Sequence, residues 1–167
     1  MSKLILSLKV KDFGAMKIEL YPEVAPNTVS NFVKYVESGF YTDKIFHRII
    51  RGFMIQGGGS FDKLEPIKGE FTANGHKNDL KHTKGVISMA RTNNPNSATS
   101  QFFIMHKDSP HLDGQYAAFG KVIEGLEIVD KIATTQTNHM DMPLTPVVIE
   151  NFTILENTFN LKPVEYV

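Results

Sequence analysis

Regular alternation of apolar and polar residues near the start of the chain constrains the fold more than any other feature. Residues 4–10 read LILSLKV and residues 16–20 read MKIEL, with an apolar side chain at every second position. A period of two is typical of a β-strand that buries one face. The intervening segment KDFG, residues 11–14, predicts the turn of a hairpin.

Six further short apolar runs extend the β pattern along the chain. The predicted strands are 44–50, 53–56, 86–90, 102–105, 117–122 and 147–155. Segments rich in Gly, Asn, Asp, Ser and Pro separate them. With the first two runs this makes about eight short strands, which favours a β-barrel or a β-sandwich.

Two segments have a helical period instead. Within 22–39, apolar side chains recur at i, i+3, i+4 and i+7, which is one face of an α-helix. These side chains are Val29, Phe32, Val33 and Val36. Pro26 suits the first turn of this helix, and Gly39 suits its end. A second pattern covers 124–132, and two helices are enough to cover the two ends of a closed barrel.

Composition excludes several classes of protein. The 167 residues suit one domain, 1–167, and no linker, repeat or low-complexity tract divides them. Cysteine is absent, which excludes disulfides and thiolate nucleophiles, and the six histidines form no H-E-x-x-H pair, so no metal is expected. The 18 basic residues balance the 18 acidic ones, so nucleic-acid binding is not expected. No apolar run suits a membrane span or a secretory signal, and we expect a cytoplasmic protein.

The segment FHRIIRGFMIQGG, residues 46–58, breaks the simple strand pattern. Alternation predicts that Phe46, Arg48 and Ile50 share one strand face. An arginine among large apolar side chains is costly unless it is paired or used. From alternation alone, an exposed arginine in a surface ion pair is the better interpretation of Arg48.

A second segment changes that interpretation. Residues 100–104, SQFFI, place Gln101 and Phe103 on one face of a strand and Phe102 on the other. Together the two segments supply an apolar pocket rimmed by amide and guanidinium donors, which is the usual construction of a specific ligand site. The predicted members are Arg48, Phe53, Met54, Gln56, Gln101 and Phe103.

At these segments the sequence closely resembles the cyclophilins, a family of peptidyl-prolyl cis–trans isomerases. The similarity extends through residues 81–90, 112–114 and 119–122 and covers essentially residues 3–155, leaving a tail at 156–167. Residues 91–100 are similar to the bacterial-type branch of the family. The resemblance implies a closed eight-stranded antiparallel β-barrel capped by two α-helices.

The resemblance also implies roles for individual residues. Arg48 occupies the catalytic position. The side chains expected around the proline ring of the substrate are Phe53, Met54, Phe103 and Leu112. Those expected along the bound peptide are Gln56, Ala90, Arg91 and Gln101.

Three positions depart from the pattern of eukaryotic relatives. His111 stands where many of them carry tryptophan, and this chain contains no tryptophan. That indole is a main contact for the inhibitor cyclosporin in the family, so only weak cyclosporin binding is expected. Tyr116 replaces a histidine at the pocket rim, and Arg91 replaces an asparagine whose substrate contact is expected through the backbone.

The expected reaction requires neither a cofactor nor a metal. Rotation about an X–Pro bond meets a barrier of roughly 18–20 kcal/mol, because amide resonance must be broken. In the twisted state the proline nitrogen becomes pyramidal and regains a lone pair, to which Arg48 can donate a hydrogen bond. Gln56 is expected either to orient Arg48 or to bind the rotating carbonyl.

Two other classes of function remain open at this point. A binding module that holds proline-containing loops, as an adaptor or chaperone does, would use the same pocket, although retention of Arg48 favours the enzyme. A nucleic-acid-binding barrel is disfavoured by the zero net charge. The expected partners are proline-containing peptides and unfolded or loop segments of client proteins, and a monomer is sufficient.

Overall fold

The computed structural model describes all 167 residues as eight β-strands and two α-helices, the predicted numbers. The strands are β1 (Leu4–Val10), β2 (Gly14–Leu20), β3 (Arg48–Ile50), β4 (Met54–Gly57), β5 (Val86–Met89), β6 (Phe102–Met105), β7 (Ala118–Glu124) and β8 (Ile149–Asn157). The helices are α1 (Pro26–Glu37) and α2 (Leu126–Ala133), and 3₁₀ turns lie at Thr72–Asn74 and Pro110–Leu112. None of these helices has the length and apolar character needed to cross a membrane.

All eight strands belong to one antiparallel sheet, in the order β3-β4-β6-β5-β7-β2-β1-β8. The predicted β1–β2 hairpin is confirmed, and Val10 pairs with Gly14 across its turn. The expected closure of the barrel is wrong, since β3 and β8 do not pair and the sheet is an open half-barrel.

The sheet stays open because other segments occupy the outer edge of β3. This strand has only three residues, and the amide of Ile49 donates to the carbonyl of Asp141 at 2.8 Å, outside the sheet. Between the two end strands, β3 and β8, the chain segments are connected only by an isolated bridge between Ile45 and Val148 and by a few backbone hydrogen bonds beside it. The outer edge of β3 is thus covered by a loop.

The predicted strand 44–50 is wrong at its start, and so is the expected shared face. Residues 46 and 47 lie outside any strand, and the alternation restarts at Arg48. Phe46 and Ile49 therefore both enter the main core, whereas Arg48 is exposed and Ile50 packs beside a second cluster.

Helix α1 lies at the centre of the main core. Its predicted apolar face is buried, and the ring of Phe32 lies 5.0–5.4 Å from the rings of Tyr41, Phe102, Phe119 and Phe152. Pro26 occupies the first turn, as predicted. A smaller cluster of buried residues carries the site: Met54, Val86, Phe103, Met105, Leu112 and Ala118.

The C-terminal tail packs back onto the protein. Phe159, Leu161 and Val164 lie against the main core, and the side-chain amide of Asn27 in α1 bonds to the backbone of Glu165 in both directions, at 2.9 and 2.8 Å. Residues 156–167 are therefore part of the same packed domain.

Candidate active site

An open cavity of about 110 Å³ lies over the smaller cluster. Nine of the eleven predicted site residues line it: Arg48, Phe53, Met54, Gln56, Ala90, Arg91, Phe103, Leu112 and Tyr116. The other two, Gln101 and His111, lie next to it. Residues separated by up to 68 positions along the chain therefore converge on one cavity.

The β3–β4 hairpin positions Arg48, the charged side chain on one wall of the cavity. Antiparallel register places Arg48 directly opposite Gln56. Arg48 Nη1 donates to Gln56 Oε1 at 3.3 Å, and Gln56 Nε2 donates to Gln101 Oε1 at 2.9 Å. No carboxylate forms an ion pair with Arg48, so the surface-pair interpretation is wrong. A neutral amide therefore orients the guanidinium, and no carboxylate neutralises the positive charge that it presents to the cavity.

The floor of the cavity is apolar and well packed. Met54, Phe103 and Leu112 come from β4, β6 and the second 3₁₀ turn, and each is at most 7% exposed. The ring of Tyr116 meets Phe103 edge-on, with the centroids 5.7 Å apart and the planes at 86°. This arrangement leaves an apolar recess large enough for a small ring.

A buried polar network beneath the floor was missed as a functional feature from sequence. His82 Nδ1 lies 3.1 Å from Asp113 Oδ1, and His82 Nε2 lies 2.9 Å from Ser88 Oγ. The imidazole also stacks on Phe103, with centroids 6.1 Å apart. Ser88 is fully buried, so this Ser-His-Asp set supports the floor and is not a nucleophilic site. Its signal in the sequence is that His82 and Ser88 lie within the segment 81–90, and Asp113 within 112–114, both of which carry the family resemblance.

The titratable histidine next to Arg48 in the sequence does not supply an acid or a base to the cavity. Burial lowers the pKa of His47, and the adjacent charge of Arg48 lowers that pKa further. His47 is therefore neutral near pH 7 and does not line the cavity. The cavity itself contains two arginines and a tyrosine as its only ionisable side chains, which suits a reaction without proton transfer.

Comparison with known proteins identifies the family to which this chain belongs. The family model described as "Cyclophilin type peptidyl-prolyl cis-trans isomerase/CLD" matches residues 5–154. The chain belongs to the cyclophilins. The resemblance that the motifs indicated is thereby confirmed, and the family is one of peptidyl-prolyl cis–trans isomerases.

Individual relatives share this cyclophilin's sequence over most of its length. Peptidyl-prolyl cis-trans isomerase A of Dickeya dadantii is 45% identical over 153 residues, covering 86% of this chain and 80% of the relative. Peptidyl-prolyl cis-trans isomerase B of Escherichia coli is 43% identical over 161 residues, covering 86% of this chain and 95% of the relative. A cyclophilin-type isomerase of Cryptosporidium parvum superposes with a TM-score of 0.83 at 30% identity, covering 93% and 99% of the two chains. The same protein crystallised in the presence of the dipeptide Ala-Pro gives a TM-score of 0.82.

All three departures from eukaryotic relatives lie at or beside the cavity in this cyclophilin, and Tyr116 lines it together with Arg91. His111 is exposed and stacks on Phe53, with centroids 5.8 Å apart. The guanidinium of Arg91 lies 4.8 Å from the ring of Phe71 and 4.5 Å from that of Tyr116. The side chain of Arg91 is thus part of the cavity wall, in addition to the backbone contact expected from sequence.

Proposed function

We propose that Arg48 is the catalytic residue of this isomerase and that it acts by donating a hydrogen bond to the proline nitrogen of a twisted X–Pro amide. The observation that carries the proposal is the exposure of an unpaired guanidinium beside an apolar recess. Its only side-chain partner is the neutral amide of Gln56, at 3.3 Å. A donor of this kind interacts weakly with a planar amide nitrogen and strongly with a pyramidal one.

The apolar recess supplies the other half of the catalytic effect. The proline ring would lie on Met54, Phe103 and Leu112, so that rotation is confined to the acyl side of the bond. Packing of the ring against these side chains also excludes water and strengthens the hydrogen bond from Arg48. Phe53 forms the side of the recess, and Ala90 lies where the peptide backbone would pass. The amide of Ala90 itself donates to the carbonyl of Gln101 at 3.0 Å, which keeps this wall fixed.

The substrates that suit an open, shallow cavity are flexible segments that can enter it. Proline-containing peptides, unfolded chains and exposed loops of client proteins meet this requirement, and acceleration of their folding is the physiological consequence that we propose. Uncatalysed exchange of an X–Pro bond takes on the order of 10–100 s, so it limits the folding of chains that need one isomer. All the proposed residues come from one chain, so a monomer is sufficient.

Weak binding of cyclosporin is a further part of the proposal. At the rim, His111 offers an imidazole in place of the larger indole that many relatives carry, and its apolar contact area is smaller. Isomerase activity does not depend on this position in the proposed mechanism, because His111 does not line the cavity.

A proline-isomerisation assay on a short X–Pro peptide tests the role of Arg48. The variant Arg48→Ala should lose about 10²–10³ in rate, equivalent to roughly 3–4 kcal/mol of barrier lowering. Arg51→Ala is the matched control, because Arg51 lies on the turn of the same hairpin, is exposed and does not line the cavity. Equal turnover by the wild type and Arg48→Ala would refute the assigned role. Tight peptide binding by the wild type without rate enhancement would favour a binding module instead.

A further inference from the structure

A second cavity lies beside the proline recess, and it has a different chemical character. Its volume is about 240 Å³, roughly twice that of the recess. The two cavities share Gln56, Ala90 and Arg91, so they are adjacent along one groove. The remaining lining is polar and includes the side chains of Thr99 and Gln101. A peptide held in the first cavity therefore passes close to the second.

The charge of this groove is unbalanced, although that of the whole chain is zero. The two cavities together contain two guanidinium groups, those of Arg48 and Arg91, and no carboxylate. Neither arginine takes part in any ion pair of the molecule. The groove is thus a locally positive surface on a neutral protein, which favours an anionic group in the ligand.

The second cavity also holds hydrogen-bond donors that the protein itself does not use. A guanidinium has five N–H donors. Arg91 uses three of them, from Nε and Nη2 to the carbonyl of Gln115 at 3.3 and 2.7 Å and from Nη1 to that of Thr92 at 2.9 Å. One N–H on each terminal nitrogen remains. The amide nitrogen of Gln101 has no protein acceptor either, because only its Oε1 is engaged.

The charge of Arg91 is held in place before any ligand arrives. Its guanidinium lies between the rings of Phe71 and Tyr116, and its three hydrogen bonds go to backbone carbonyls. A fixed guanidinium loses little conformational entropy when it binds a carboxylate, and its planar fork matches two carboxylate oxygens.

We propose that the second cavity binds a carboxylate side chain of the substrate through Arg91, and that this cyclophilin prefers X–Pro segments with Asp or Glu within about three residues of the proline. An extended peptide advances about 3.3–3.6 Å per residue, so a side chain at this separation reaches an adjacent cavity. The inference rests on the proposed function, because it assumes that the proline occupies the first cavity.

Paired peptides that differ only in Glu or Gln test the preference. The pairs place this residue at each of the three positions before and after the proline, and kcat/KM is measured for both members. For at least one position the wild type should favour the Glu peptide by about two- to fivefold, the range of a partly exposed ion pair. The preference should shrink at 1 M salt, where the screening length is about 3 Å.

Three variants assign the preference to one residue. The ratio of Glu to Gln turnover should approach one in Arg91→Gln and persist in part in Arg91→Lys. It should remain unchanged in Arg51→Gln, which removes the same charge from a residue outside both cavities. The ratio within each enzyme is the readout, so an overall loss of activity in Arg91→Gln does not obscure it.

The outcomes separate this inference from the proposed function. Turnover of the Gln peptides with a Glu-to-Gln ratio near one at every position would overturn the acidic preference and leave the isomerase intact. If no peptide is turned over, the proposed function fails, and peptide affinities from an NMR titration then decide the preference: equal affinities for Glu and Gln peptides overturn it. A preference that survives in Arg91→Gln, or that is insensitive to salt, would also contradict it.

Discussion

Replacement of Gln56 by methionine separates two possible roles of this residue. Its Oε1 accepts the hydrogen bond from Arg48 at 3.3 Å, while its Nε2 donates to Gln101 at 2.9 Å. Methionine keeps most of the side-chain volume and removes both hydrogen bonds. If Gln56 orients Arg48, its effect requires the guanidinium; if it binds the rotating carbonyl, its effect is independent of Arg48.

The size of the effect follows from the bond that is lost. A hydrogen bond of ordinary strength contributes about 0.5–1.5 kcal/mol, which corresponds to roughly a 2- to 12-fold fall in kcat/KM. The site is open to solvent, and Arg48 remains charged in the variant, so the loss should be far smaller than the 10²–10³ expected for Arg48→Ala. Gln101→Met, which breaks only the bond from Gln56 to Gln101, should cost less than Gln56→Met.

A double-mutant cycle in the proline-isomerisation assay measures the coupling. Because Gln56 is expected to act through Arg48, the double variant Gln56→Met/Arg48→Ala should be no slower than Arg48→Ala alone. Each variant requires a check of its folding by circular dichroism before its rates are compared. Fully additive losses would refute the orienting role and indicate that Gln56 contacts the substrate itself.

Three other perturbations have expected outcomes. Burial lowers the pKa of His106 below the ordinary value of 6.5, and its neutral Nδ1 accepts a hydrogen bond from the Gly52 amide at 2.9 Å. As pH falls, His106 is therefore protonated at a higher pH in the unfolded state than in the folded state. The free energy of unfolding, measured by urea denaturation, should then fall as pH drops from about 7 to 5. A stability that does not change with pH over this range would contradict this. Glu70 accepts hydrogen bonds from the backbone amide and hydroxyl of Thr28 in the first turn of α1, so Glu70→Ala should cost about 2–4 kcal/mol of stability and Glu70→Gln less. The variant His111→Trp should bind cyclosporin more tightly than the wild type in a fluorescence titration, with similar isomerase activity; unchanged affinity would show that the missing indole is not the cause.

Local patterns predicted the elements that bury one regular face. Alternation in residues 4–10 and 16–20 is confirmed because each strand has one side in the core. The start of α1 was predictable because Pro26 marks the first helical turn. Helix α2 begins two residues later than predicted, since Gly125 adopts a left-handed conformation with φ of 98°, which the periodicity of apolar residues does not reveal.

Features that depend on distant contacts could not be predicted in this way. The run 44–50 has the composition of a strand, but burial of Phe46 in the main core interrupts it. Closure of the sheet depends on the loop at Asp141, which occupies the edge of β3 and is distant in sequence. The candidate site residues were predicted from motifs, whereas the contact of His82 with the cavity floor could be recognised only in the packed structure.

The most direct test of the role of Arg48 is the rate at which bound peptide exchanges between its cis and trans forms. NMR measures this rate at a saturating concentration of peptide. At saturation the measured rate reports rotation on the enzyme and is independent of affinity. Rotation on Arg48→Ala should be about 10²–10³ slower than on the wild type, while the variant still binds the peptide through its apolar recess. Rotation at the wild-type rate on Arg48→Ala would contradict the claim that Arg48 stabilises the twisted amide.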